Sequence, residues 1–206
     1  MKLWYSPMSP FVHRVMIVLK HHHLLEQTEL LPVKLSFDAN SPHNEDNPLG
    51  RIPALQLNNG EWLFNSFLIA EYLDSIGLQN KLFPQDEHRW KVLSWHYLAD
   101  GIFENTMPIA AERRLRPENE WWISRHQQIQ ERNIRSFRYL EERVDEIGTE
   151  LNIGTISLVC CLDFFLFRQN VVGINIKEIA PKLSAWLEYM NTHYEVLSST
   201  KPVMNK

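Results

Sequence analysis

The chain changes pattern near residues 78–86, and this constrains its fold more than anything else in it. Before that stretch, short strand-like runs alternate with helical spacing; after it, almost everything is helical. Such a switch predicts an α/β domain followed by an all-α domain. The 206 residues suffice for two small domains or one large one. The predicted boundaries are 1–77 for the first domain, 78–86 for a linker containing Phe83-Pro84, and 87–206 for the second.

Within the first part, Lys2-Leu3-Trp4-Tyr5 reads as a strand ended by Ser6-Pro7-Met8-Ser9-Pro10. Phe11, Val15, Val18 and Leu19 then recur at helical spacing. Pro10 suits the first helical position, where its missing N–H costs nothing, and Ser9 suits the N-cap before it. A second strand is predicted around Thr28 to Leu35, followed by a polar, irregular stretch from Ser36 to Asn47. Ile52 to Leu57 and Trp62-Leu63-Phe64 flank Asn58-Asn59-Gly60, the signature of a hairpin. Leu68, Ile69, Tyr72, Leu73 and Ile76 mark a helix that stops near Gly77.

Four helical patterns follow. Residues 87 to about 115 carry Trp90, Leu93 and Tyr97 on one face and Trp95, Leu98 and Ile102 on another, as a helix touching two neighbours would. Ile129, Phe137, Leu140, Val144 and Ile147 form one long stripe. Asn152 to Arg168 is apolar nearly all round, which predicts a central buried helix, and Glu178 to His193 forms the last one.

Formal net charge is −4, so no overall cationic field draws the chain to nucleic acid or anionic lipid. The longest apolar run, Leu158 to Phe167, is short and broken by Asp163, so no membrane span is expected. The first residues read as a strand, not as a basic stretch before an apolar core, and the expected location is cytoplasmic. Cys160 and Cys161 are adjacent on a helix, point apart, and are expected to fill the core without a disulfide.

Four motifs, spread along nearly the whole chain, resemble the cytosolic glutathione transferases. They are Ser6-Pro7-Met8-Ser9-Pro10-Phe11, Asn47-Pro48-Leu49-Gly50-Arg51-Ile52-Pro53, Phe64-Asn65-Ser66 with Ile69-Ala70-Glu71-Tyr72-Leu73, and the helix from Asn152. Leu82-Phe83-Pro84 and Arg113 to Glu118 accompany them in the expected order. The first motif is similar to that of a bacterial, serine-type group. The resemblance implies a thioredoxin-like α/β N-terminal domain, an all-helical bundle C-terminal domain and a homodimer.

It also implies a chemistry. Glutathione would be a co-substrate, with no metal, and its thiolate would attack a small electrophile in the cleft between the domains. An ordinary thiol titrates near 8.5; a hydroxyl donor and the positive end of a helix both favour the thiolate. By resemblance Ser9 would supply that hydroxyl, with Ser6 as a local competitor, while Ser9 read from spacing alone is a cap. Phe11, Arg51, Ile52, Pro53, Asn65 and Ser66 would bind glutathione. Ile52-Pro53 would be a cis peptide presenting the Ile52 backbone to the cysteinyl part, and Ser66 would hold the γ-glutamyl carboxylate at a helix N-terminus.

Two positions depart from the family pattern. Asn65 stands where an acid usually pairs with the ligand's amino group, and Thr155 stands where Asp usually closes the capping box begun by Asn152. Asn65 reads equally as the N-cap of the helix that follows, and it gives weight to a second expectation, a non-catalytic binding or regulatory scaffold. Other features read as structural: His21-His22-His23 as a surface turn, since consecutive helical residues cannot converge on one metal, and Trp121-Trp122 as packing, with the lining of an acceptor pocket as the alternative. Arg113, Arg114 and Arg116 fit either a solvated face or the neighbourhood of the cleft.

Overall fold

The computed structural model describes residues 1–34 and 38–202. It divides into two compact units: Met1–Phe83 together with the chain from Val196 onward, and Pro84–Glu195. The end of the chain thus groups with the first unit, which no local pattern in residues 87–206 announces.

The first unit runs β1 (Lys2–Tyr5), α1 (Pro10–His21), β2 (Glu29–Pro32), α2 (His43–Asp46), β3 (Ala54–Gln56), β4 (Trp62–Phe64) and α3 (Ser66–Ile76). The sheet order is β2-β1-β3-β4, with β1 parallel to β2 and antiparallel to β3, and β3 antiparallel to β4. This is the thioredoxin-like arrangement. β2 is shorter than its pattern suggests, ending at Pro32, and Leu35, Ser36 and Phe37 lie outside the described residues. Leu3, Val15, Val18, Leu55, Ile69 and Leu73 are buried between the sheet and α1 and α3. Both helices therefore place their starts at fixed points beside the sheet.

The second unit is helical: α4 (Arg89–Leu115), α5 (Ile123–Glu141), α6 (Val144–Ile147), α7 (Ile153–Phe167), α8 (Gln169–Val172), α9 (Ile176–Ile179) and α10 (Pro181–His193), with α11 (Glu195–Ser198) crossing to the end segment. From Ile153 to Phe165 every residue of α7 is buried, as its unbroken apolar pattern predicts. Phe137 of α5 meets Phe165 edge to face at 4.8 Å, and Phe103 of α4 meets Phe164 at 5.7 Å.

Two predicted helices are split. The stripe from Ile129 to Ile147 breaks after Glu141, because Arg143 leaves helical geometry (φ −122°, ψ 20°) and folds back, donating to the Tyr139 carbonyl at 3.1 Å. The last helix restarts at Pro181, which has no N–H to continue the ladder from α9. The first face of α4 is also not uniformly covered: Leu93 is buried, but Trp90 and Tyr97 are 75% and 58% exposed.

Candidate functional site

The sheet register gathers the first three motifs at one end. β1 runs out at Tyr5 and leads to Ser9; β3 begins at Ala54, paired with Trp4, just after Ile52-Pro53; β4 ends at Phe64, also paired with Ala54, just before Asn65. The starts of α1 and α3 therefore lie at the same sheet end as the Ile52-Pro53 turn.

Ser9 is the N-cap of α1 with Pro10 in the first turn, as its sequence predicts, and its Oγ accepts from the Val12 N–H at 3.3 Å. The cap uses an oxygen lone pair and leaves the hydroxyl proton to donate elsewhere. The first turn of α1 contains no acid, so its positive end is not neutralised locally. Ser9 and Phe11 are both half-buried.

Ile52-Pro53 is a cis peptide. Its approach is fixed by Asn47, which is buried: Nδ2 donates to the Arg51 carbonyl at 2.7 Å, and Oδ1 accepts from Leu49 N at 3.0 Å. Gly50, at φ +58°, completes the turn, and a Cβ there would fall 2.9 Å from Asn44 Oδ1. Below it, His43 bridges Ser41 and the Gly50 carbonyl, and the Trp4 indole donates to Asp46 at 2.8 Å. The Arg51 side chain is exposed, Ile52 half-buried and Pro53 buried.

Asn65 caps α3, with Oδ1 accepting from Phe67 N at 2.8 Å. It holds φ 75°, ψ 126°, a conformation side chains rarely adopt. Ser66 opens α3 and is buried, and its Oγ accepts from Arg14 Nη1 at 2.9 Å. Arg14, fully buried in α1, thereby ties the two helix starts together. Its sequence signal was a lone cation among Val12, Val15, Ile17 and Val18, all buried.

The histidine run does not converge. His21 meets the Asn80 carbonyl at 2.8 Å, His23 is exposed, and His22, contrary to a surface turn, is buried against Asp74 at 2.9 Å. Burial lowers the His22 pKa, partly offset by the Asp74 hydrogen bond. Among the described residues no group of three or more His, Cys, Asp or Glu could hold a metal ion, and no helix is long and apolar enough to cross a membrane. Cys160 and Cys161 are both buried in α7. Trp121 packs on Arg113 at 5.3 Å, but Trp122 is 65% exposed rather than packed. Arg113 donates to the Val171 carbonyl, whereas Arg114 and Arg116 are exposed.

The family model for the glutathione S-transferase N-terminal domain matches residues 8–76. A glutathione transferase family member from Pseudomonas fluorescens Pf-5, solved with bound glutathione, is 31% identical, with a TM-score of 0.89 over 98% of this chain and 99% of that one. This chain belongs to the glutathione transferase family. The same Pseudomonas relative with bound S-(propanoic acid)-glutathione gives a TM-score of 0.86 over 99% of this chain and 100% of that one, again at 31% identity. Among curated relatives, the uncharacterized GST-like protein YibF of Escherichia coli K12 is 29% identical over 84% of this chain and 86% of its own length. Mouse glutathione S-transferase omega-1 is 29% identical over 88% of this chain and 72% of its own. In this chain the family model spans all three motifs gathered at the sheet end, apart from Ser6 and Pro7.

Proposed function

We propose that the chain binds glutathione in residues 1–77 and transfers its thiolate to a small electrophile, with the Ser9 hydroxyl donating to the sulfur. The observation that carries the reading is the convergence of Ser9, Ile52-Pro53 and Ser66 at one sheet end, on two helix starts joined by Arg14. Glutathione is an anion with an extended backbone. The start of α3, without an acid in its first turn, suits its γ-glutamyl carboxylate, with Ser66 and Asn65 beside it. Ile52, beyond the last ladder pair of β3, suits its cysteinyl amide, and Phe11 and Arg51 flank the peptide. The glutathione bound in the Pseudomonas relative supports the same ligand here.

Calorimetry with glutathione and S-hexylglutathione tests the site, with one ligand per chain expected; binding of neither sinks the reading. Ser9→Ala is expected to lower turnover on the order of tenfold to a hundredfold while leaving glutathione affinity within a few fold.

A second reading, a non-catalytic glutathione-binding scaffold, draws on Asn65, whose neutral side-chain oxygen already caps Phe67 N. Asn65→Asp keeps the cap and adds the charge. About tenfold tighter glutathione binding is expected if this residue faces the ligand's amino group. Unchanged turnover in Ser9→Ala would favour the scaffold. The proposed location is the cytoplasm, and the exposed Trp90 and Tyr97 on α4 support a homodimer; sedimentation showing only monomer at micromolar concentration would refute the dimer.

A further inference from the structure

We propose that His43 is a positioning residue for glutathione, holding through the Gly50 carbonyl the backbone that receives the cysteinyl amide. This role rests on the glutathione reading above; His43 itself lies outside the four motifs. It opens α2 and is fully buried. A buried imidazole needs partners for both ring nitrogens. Nδ1 meets Ser41 Oγ at 2.7 Å, and Nε2 meets the Gly50 carbonyl oxygen at 3.2 Å. A carbonyl can only accept, so Nε2 carries the proton and donates to it. In the neutral ring Nδ1 then accepts from the Ser41 hydroxyl, which can turn to suit. The partners thus fix the tautomer.

Gly50, at φ +58°, is the most permissive point of the loop, and Arg51 and Ile52 follow it directly. Peptide units are planar, so a bond to a carbonyl also sets the N–H of the next residue. His43 holds the Gly50–Arg51 unit by its carbonyl. Asn47 Nδ2 holds the Arg51–Ile52 unit at 2.7 Å, and that unit carries the Ile52 N–H. Two successive units are therefore each held by one buried side chain. His43 also supports the second, because its own carbonyl accepts from the Asn47 N–H at 2.9 Å. The ring is anchored in turn on β1: Trp4 lies 6.3 Å from it, centroid to centroid, and the Trp4 indole donates to Asp46 at the other end of α2. The strand that leads to Ser9 thus also carries the residue that holds the approach to Ile52. Backbone ordered before the ligand arrives has less freedom to lose on binding, which raises affinity.

Asparagine and glutamine separate the two bonds of the ring. The amide nitrogen of Asn reaches the place of Nδ1, and that of Gln the place of Nε2. The test uses the full chain: calorimetry with glutathione, hydrogen exchange of the Arg51 and Ile52 amides without ligand, and urea midpoints. His43→Asn is expected to weaken glutathione about five- to tenfold and to speed exchange at both amides. His43→Gln keeps the Gly50 bond and is expected to stay within about twofold of the wild type in both. Each variant retains one of the two bonds, so their urea midpoints are expected to fall alike. His43→Phe fills the ring's volume without either bond; it is expected to follow His43→Asn, and replaces it should the smaller side chain not fold. Equal affinities in the Asn and Gln variants, affinity that merely tracks the urea midpoint, or unchanged exchange in His43→Asn would each overturn the proposal. A wild type that binds no glutathione overturns the transferase reading and this role with it. A wild type that binds, with Asn and Phe variants that bind as well, overturns this role alone.

Discussion

Asn65 holds a backbone conformation (φ 75°, ψ 126°) that costs a side-chain-bearing residue about 1–3 kcal/mol, while its side chain repays part of that by capping α3. Glycine removes the strain and loses only a few tenths as a cap; alanine keeps the strain and loses the cap. Asn65→Gly is therefore expected to match or exceed the wild type in urea unfolding midpoint, and Asn65→Ala to fall by about 1 kcal/mol or more. Equal losses for both would show that the geometry is not strained. Ser9 and Ser66 were legible because cap and helix-start chemistry depends on neighbours one to three residues away. Arg14 was not: a cation in a helical pattern reads as solvent-facing, and its partner Ser66 is 52 residues distant. Asn47 opened the second motif, but its bond to the Arg51 carbonyl, and the bond of His43 to the Gly50 carbonyl, lie in and beside a stretch that reads as irregular and has no repeating pattern to announce them.

At the level of elements, α7 shows why a departure from a family pattern need not weaken a helix. Thr155 in place of an acid still closes the capping box: Asn152 Oδ1 accepts from Gly154 and Thr155 N–H groups, both at 3.0 Å, and Thr155 Oγ1 accepts from Asn152 N at 3.0 Å. The box also sets how closely α7 approaches α4. A Cβ on Gly154 would lie 2.5 Å from the Val92 carbonyl oxygen, a backbone atom that cannot rotate away. Gly154→Ala must part the two helices and is expected to destabilise by about 1–3 kcal/mol despite its better helix propensity; a stabilised variant in urea titration would refute the close approach. The existence and period of α1, α3, α4 and α7 were plain in the sequence because each buries a continuous face. The interruptions at Arg143 and before Pro181 were missed because an apolar stripe carries on across a break of one or two residues.

The least legible feature of the molecule is the return of its end to the first unit, a contact made across nearly the whole chain. Leu197 is buried there, Ser199 accepts from Lys20 at 3.0 Å, and Thr200 Oγ1 meets His13 Nε2 at 3.1 Å. His13 lies in α1, four residues after the Ser9 cap, so the end segment rests on the helix that presents Ser9. Burial is the main cause that lowers the His13 pKa from 6.5 to about 4; the Leu197 carbonyl opposes it, and the charges of Lys201 and Arg14 add smaller pulls downward. The unfolded chain thus takes up the proton first. Stability from this residue is fully present above pH 6.5 and is lost as pH falls towards about 4, by about 3 kcal/mol in all. Carboxylates titrate in the lower part of the same window, so the measurement is a difference. Urea midpoints from pH 7.5 to 4.5 are compared between the wild type, His13→Gln and a chain ending at Glu195. Gln can hold Thr200 but cannot titrate; removal of the segment uncovers His13 and returns its pKa towards the ordinary value. Both variants are expected to lose stability less steeply than the wild type below pH 6.5, although the shortened chain starts lower for want of Leu197. Parallel slopes in all three would mean that His13 is not held neutral beneath the end of the chain.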